Sequence, residues 1–178
     1  MNEEYEGCRL RPADLQDAQA LLEITNDAEV MRYYGLVGSF YTRLDEAVEE
    51  IHWFRGLEAE GGGRWVIADA DNRYIGDIGF FDYDAENKTV ELGYKLAKSH
   101  WNRGLMGFFM RQVLVWGFAQ RDYNRVCAYV EPENIASKAV LTRNGFVHEG
   151  RLRDVERGRA GFIDLEVYSL LRREHVAA

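Results

Sequence analysis

The chain has 178 residues, 47% of them hydrophobic and 13% aromatic. That is enough apolar material for one packed domain and excludes a disordered or collagen-like chain. Lys and Arg total 22 against 30 Asp and Glu, a formal net charge of −8, which argues against a phosphate backbone, and so nucleic acid, as the partner.

In chain order, Gly7–Pro12 reads as a first strand. Asp14 then caps a helix with Leu15, Ala18, Leu21 and Leu22 on one face. A polar break at Thr25-Asn26-Asp27 leads into a short piece through Met31, and Gly35 and Gly38 mark a loop. Thr42-x-x-Asp45 resembles a capping box. It opens a helix carrying Leu44, Ala47, Val48, Ile51 and Phe54, with Gly61-Gly62-Gly63 as its stop. Strands follow at 64–69 and 74–81, joined by an Asp71-Asn72 turn, and then at Thr89–Leu96.

A helix over Leu105–Gln120 has Phe108, Phe109, Val113, Leu114, Trp116 and Phe118 around most of its circumference, the pattern of a buried helix. It connects Thr89–Leu96 to a strand at Arg125–Val130, and a strand–helix–strand unit of this length favours parallel neighbours. A last helix spans 134–143, and strands at 146–151 and 162–171 close the chain as an antiparallel pair. No linker interrupts the sequence, so the expectation is one mixed-sheet α/β domain over residues 1–178.

Cys8 and Cys127 form no Cys-x-x-Cys pair and leave no zinc or redox signature, so no metal is expected. No apolar run reaches the roughly 18 residues of a membrane span. The acidic start Met1-Asn2-Glu3-Glu4 is unlike a signal peptide. The expected setting is cytoplasmic, with no membrane partner.

Two segments can carry chemistry. Trp101-Asn102-Arg103-Gly104-Leu105-Met106-Gly107 places two glycines around a helix start, where unpaired N–H groups and the positive dipole end suit a pyrophosphate. A tight turn feeding a buried helix explains the same residues. Neither a Walker lysine nor Gly-x-Gly-x-x-Gly is present, which leaves a nucleotide-binding α/β protein without a fingerprint. In the second segment, Asn134 is a good N-cap and Asn144-Gly145 a good stop. Ser137 lies one turn in, on the side of the cap.

Together the segments resemble the GNAT superfamily of acyl-CoA-dependent N-acetyltransferases. Gly104-Leu105-Met106-Gly107 is similar to a variant of its Q/R-x-x-G-x-G/A region, and Asn134-Ile135-Ala136-Ser137 with Asn144-Gly145-Phe146 to its N-x-x-S…N-G-F region. The stretches Leu10-Arg11-Pro12, Asn26–Tyr33, Val90–Tyr94 and Asp164–Leu170 fit in the same order, so the likeness covers nearly the whole chain. It looks nearest to the RimJ/RimL branch of ribosomal-protein N-terminal acetyltransferases, with spermidine acetyltransferases as neighbours. Trp101 departs from the family, which often has Gln or Arg there.

The resemblance implies a twisted mixed sheet with helices on both faces and a splayed pair of parallel strands, here Thr89–Leu96 and Arg125–Val130. Acetyl-CoA would enter the gap as cosubstrate. The backbone of Tyr94, Lys95 and Leu96 would pair with its pantetheine amides, with an N–H near Leu96 at the developing oxyanion. Asn102, Arg103, Gly104, Met106 and Gly107 would hold the pyrophosphate, and Asn134 the pantetheine arm. Ser137 is the implied proton donor, because the spermidine enzymes' tyrosine one turn later is Leu141 here. Protonation of the thiolate by water, with Ser137 only positioning, is the alternative.

Glu91 is the candidate base, working through water; the competing role is an ion pair with a basic neighbour such as Lys95. Tyr33, Tyr34 and the loop from Gly35 to Tyr41 would line the acceptor, and Tyr33 and Tyr34 as plain core is the alternative. An α-amine titrates near 7.7–8.0 and lysine near 10.4, so at neutral pH roughly a tenth of the former but under a thousandth of the latter is neutral. A site without a strong base therefore suits a small-molecule or peptide α-amine. Tyr34-Gly35-Leu36-Val37 lacks the acids that follow Met-Arg-Tyr in the polyamine branch, which counts against spermidine. A polyamine or antibiotic acceptor, or a non-catalytic acyl-CoA-binding module, are the rivals. The expected state is a monomer or homodimer.

Overall fold

The computed structural model describes residues 3–34, 41–158 and 160–175. Seven strands form one sheet: β1 (Arg9–Arg11), β2 (Gly63–Ala68), β3 (Tyr74–Asp84), β4 (Thr89–Leu96), β5 (Arg125–Val130), β6 (Val147–Gly158) and β7 (Gly161–Leu171). The spatial order is β1-β2-β3-β4-β5-β7-β6. Every neighbouring pair is antiparallel except β4–β5, which is parallel because helix α3 (Leu105–Gln120) makes the crossover between them. The mixed α/β fold expected from the sequence is the fold observed.

Helices cover both faces. On one, α3 buries Leu105, Phe109, Met110, Val113 and Leu114 against Ile78, Phe80, Val90, Leu92 and Val126, and α4 (Ile135–Arg143) adds Leu141. On the other, α1 (Ala18–Thr25) and α2 (Leu44–Gly56) pack Leu21, Ala47, Ile51 and Phe54 against Val66, Ala68 and Tyr74. Period-two alternation sends neighbouring residues of β4 to opposite layers. Val90, Leu92, Tyr94 and Leu96 meet the α3 side, while Lys95 reaches Glu50 of α2.

Two local expectations change. The N-cap of α2 is Arg43, and the Glu46 carboxylate accepts the Thr42 and Arg43 N–H groups, so the acid that closes the cap is Glu46 rather than Asp45. The final hairpin runs far beyond the expected boundaries, because pairing resumes at Glu156↔Ile163, after an irregularity over residues 153–155, and continues to Gly158↔Gly161. The stretch 153–157 is largely solvent-exposed, so it lacks the apolar alternation that announces a half-buried strand.

Candidate active site

β4 and β5 pair at only three positions, Thr89↔Arg125, Val90↔Val126 and Glu91↔Cys127. Beyond Glu91 and Cys127 the pairing stops, although β4 runs on to Leu96 and β5 to Val130. The outer sides of both arms stay in the sheet, β4 against β3 as far as Leu96 and β5 against β7 as far as Val130. The result is a fork, held from outside, with two inner strand edges facing each other.

Which β4 groups face the fork follows from the pleat. A Cβ on Gly76 of β3 would collide with the Lys95 carbonyl, so that carbonyl points at β3 and glycine is required at position 76. Tyr94 and Leu96 point the other way. The Tyr94 carbonyl accepts the Tyr34 hydroxyl at 2.7 Å, and the Leu96 carbonyl accepts the Trp101 indole N–H at 2.7 Å. The inner edge is therefore offered by Tyr94 and Leu96. Lys95 sends its carbonyl into the sheet and its side chain away from the fork.

The Gly104 turn lies just beyond β4. Asn102 (φ 60°) and Gly104 (φ 79°) both adopt left-handed backbone, and Gly104 caps α3. The α3 N-terminus thus presents the N–H groups of Leu105, Met106 and Gly107, the first turn of a 16-residue helix. Arg103 stands at its edge in an exposed pair with Glu6. At the other arm, Asn134 caps α4 by accepting the Ser137 N–H at 3.1 Å.

One hydrogen bond ties β4 to α4: the Tyr94 and Ser137 hydroxyls lie 2.6 Å apart. Burial pushes the Tyr94 phenol up, so it stays protonated. Leu141, one turn on, is fully buried in the α3-side core. The phenol beside Ser137 thus comes from the strand and not from the helix.

The opposite face of β4 carries charge. Asp77, wholly buried, meets Arg64 (Nε 2.7 Å), Lys95 (2.8 Å) and the Tyr74 hydroxyl. Lys95 also reaches Glu50 at 3.0 Å. Burial alone would raise Asp77, but the two cations outweigh it and hold the carboxyl below its ordinary value. Lys95 is likewise kept charged by Asp77 and Glu50 against its own desolvation. Glu91 is different. Among the described residues it forms no ion pair, and its expected alternative partner, Lys95, is committed to Asp77 and Glu50. Burial, then the negative charges of Asp82 and Glu156, push its carboxyl up to about 7, against a weaker opposing pull from Arg64.

Tyr33 is half-buried with Arg32 over its ring, and Tyr34 lies beside the fork with its ring over the Lys95 ammonium. The remainder of the expected acceptor wall, residues 35–40, lies outside the described residues. Sequence reasoning placed Tyr94 at the fork through its backbone and missed its hydroxyl. It also missed the Arg64–Asp77–Lys95–Glu50 cluster. The available signal was Asp77 itself, one carboxylate inside the apolar run Tyr74–Phe81.

The residues fit the carrier implied by the sequence: a strand edge with no neighbouring strand, whose carbonyls each keep a second lone pair for an amide, a glycine-turned helix start for a diphosphate, and a capping Asn at the second arm. Among the described residues no group of His, Cys, Asp or Glu is arranged to hold a metal ion, and no helix is long and apolar enough to cross a membrane. A surface cleft of about 770 Å³ lies between α1 and the β2–β3 turn and reaches Ala97 and Ser99 at the end of β4; its Arg11–Asp17 pair is already satisfied.

Comparison with known proteins agrees with this geometry. Residues 8–147 match the family model of the acetyltransferase (GNAT) domain. The uncharacterized N-acetyltransferase p20 of Bacillus licheniformis is 34% identical over 168 residues, covering 93% of each chain. A crystal structure of a probable acetyltransferase superposes with a TM-score of 0.86 at 26% identity, covering 98% of both chains. The RimL ribosomal L7/L12 α-N-protein acetyltransferase, solved with coenzyme A, shares the fold with a TM-score of 0.84 at 22% identity, covering 94% of this chain and 95% of that one.

Proposed function

The chain belongs to the GNAT acetyltransferase family, and from that premise we propose that it transfers an acetyl group from acetyl-CoA to an α-amine of a peptide N-terminus or small molecule, as in the RimJ/RimL branch. The observation that carries this reading is the pair of unlike groups flanking the fork. Glu91, unneutralised and raised to about 7, lies on one face of β4, and the Tyr94–Ser137 hydroxyl pair on the other. A carboxylate near 7 suits an amine titrating near 7.7–8.0 far better than a lysine ammonium near 10.4.

Acetyl-CoA supplies an acyl group on a good leaving thiolate. Tyr94 and Leu96 align it along the open strand edge. Asn102, Arg103, Gly104, Met106 and Gly107 hold its diphosphate at the α3 N-terminus, and Asn134 steadies the arm. The C–N bond forms as the C–S bond breaks. The amine's proton passes through water to Glu91, and the Ser137 hydroxyl proton goes to the departing sulfur. Ser137 then recovers a proton from solvent and Glu91 releases one, so the net products are the N-acetyl amide and free thiol.

A second reading has one observation in its favour. Asp82 and Glu156 crowd Glu91 with negative charge, a field that draws a polycation. An amine panel with product mass recorded separates the two. Peptides with free N-termini should be acetylated at the α-amine in preference to spermidine and to lysine side chains. Preferential acetylation of spermidine would replace the first reading with the second. Coenzyme A binding without product from any amine would reduce the site to a binding module.

A further inference from the structure

We propose that Tyr94 is a positioning residue for proton delivery: its phenol donates to Ser137 Oγ and thereby aims the serine's own proton into the fork. The inference rests on the role given to Ser137 above. Two hydroxyls 2.6 Å apart share one hydrogen bond, so one donates and the other accepts. If Ser137 donated to Tyr94, its only proton would be occupied and unavailable to the leaving sulfur. If Tyr94 donates, the Ser137 proton is free.

A phenol is a stronger acid than an alkyl hydroxyl and so the better donor, which sets the direction proposed here. The phenol sits in an apolar setting against the α3-side core, with its oxygen in contact with Ser137. Ser137 is anchored by its backbone N–H, which donates to Asn134 Oδ1, and its hydroxyl takes no part in that cap. The Tyr94 backbone is pinned in turn, because its carbonyl accepts the Tyr34 hydroxyl. Strand and helix thus hold the two oxygens across the arms of the fork. No other hydroxyl is needed from position 141, where the buried Leu141 fills the core.

Relative acidity decides what Tyr94 contributes. A phenol ordinarily titrates about 1.5 units above a thiol, so full transfer of its proton to a thiolate is disfavoured by about thirtyfold, and burial makes it worse. An unassisted serine hydroxyl is a weaker acid still, so Ser137 can protonate the sulfur only while a donor is held on Oγ. Tyr94 is that donor: it orients Ser137 and stabilises the charge that develops on Oγ as the serine proton shifts to sulfur, until solvent restores the proton.

The test uses the intact chain with Tyr94→Phe, Ser137→Ala and the double variant. The first readout needs no turnover: titration of the thiol of bound coenzyme A by thiolate absorbance. A serine proton aimed at sulfur stabilises the thiolate, so both single variants should raise the thiol's midpoint by the same amount, and the double by no more. The second readout is steady-state kinetics with the best amine. Each single variant should lower kcat by about ten- to a hundredfold with KM for acetyl-CoA within about twofold. The double should be no slower than Ser137→Ala, the non-additivity of residues acting as one unit.

A Tyr94→Phe enzyme with parental kcat and thiol midpoint would overturn the proposal. So would losses that multiply in the double variant, or a slow Tyr94→Phe beside a fully active Ser137→Ala, which would make Tyr94 the donor. If no amine is turned over, the α-amine reading fails while the thiol titration still decides the role of Tyr94. If Tyr94→Phe does not fold, 3-fluorotyrosine at position 94 keeps the shape and makes the phenol a stronger donor. It should lower the thiol midpoint, and an unchanged midpoint would overturn the assignment.

Discussion

Lys95 and Glu91 stand on the same face of β4, four residues apart, and both are largely withdrawn from water, yet their electrostatics are opposite. Lys95 has two carboxylates within 3.0 Å and remains a charged, saturated strut between β3 and α2. Glu91 has no cation paired with it, the weak pull of Arg64 is outweighed by burial and by the charges of Asp82 and Glu156, and its proton affinity rises to about 7. Burial is common to both, so burial does not mark the reactive group; the missing counter-charge does. One region spends its charges on holding the arm of the fork, and the other keeps a carboxylate poised to exchange a proton.

The largest effect should come from breaking the saturated region. Asp77→Ala leaves Arg64 and Lys95 buried without their shared partner, a situation that typically destabilises by about 3–5 kcal/mol. For a chain of this size that is a fall in Tm of roughly 6–20 °C. Thermal unfolding checks it. A shift of only a degree or two would mean that the cluster is not holding the arm, and the contrast with Glu91 would lose one side.

Glu91→Gln should do the reverse, sparing the fold and slowing the chemistry. The expected loss is about ten- to a hundredfold in kcat at neutral pH, with affinity for acetyl-CoA unchanged. The parent's kcat/KM should rise with pH through a midpoint near 7 as Glu91 ionises, and the variant should lose that limb and keep only the rise from the amine's own deprotonation near 7.7–8.0. Stability carries the same signature. A carboxyl raised in the folded state binds its proton more tightly there than when unfolded, near 4.5, so its contribution falls as pH rises from about 4.5 through 7. Relative to the parent, Glu91→Gln should therefore gain stability between pH 5 and 8. A difference that does not move with pH would show that Glu91 is not desolvated as described.

Much of this was legible in the sequence. Thr89–Leu96, Leu105–Gln120 and Arg125–Val130 could be read to the residue, since each has its period and its punctuation. The α3 turn and the Asn134 cap were legible for the same reason, because Gly104 and Asn134 act through local backbone. What stayed hidden depends on which side chains meet across the fold. Tyr94 and Ser137 are 43 residues apart, and Lys95 and Glu50 are 45 apart, so no local pattern pairs them. Glu91 could be nominated as a carboxylate in a strand, but its freedom from Lys95 follows only from where Asp77 and Glu50 lie.

The smallest effect should come from Tyr34→Phe, which probes the seam between the two regions. The ring that lies over the Lys95 ammonium is kept, so the ion cluster should be undisturbed. Only the hydroxyl bond to the Tyr94 carbonyl is lost, worth about 1 kcal/mol, or a few degrees in Tm. That carbonyl keeps its place on the open edge and can still accept an amide, so KM for acetyl-CoA should change by no more than about fivefold. The kcat/KM midpoint near 7 should stay where it is, because Tyr34 is not among the groups that set Glu91's proton affinity. A midpoint displaced in Tyr34→Phe would mean that the fork edge and the carboxylate are coupled through Tyr34, and that the poised and braced positions of β4 are not insulated from each other.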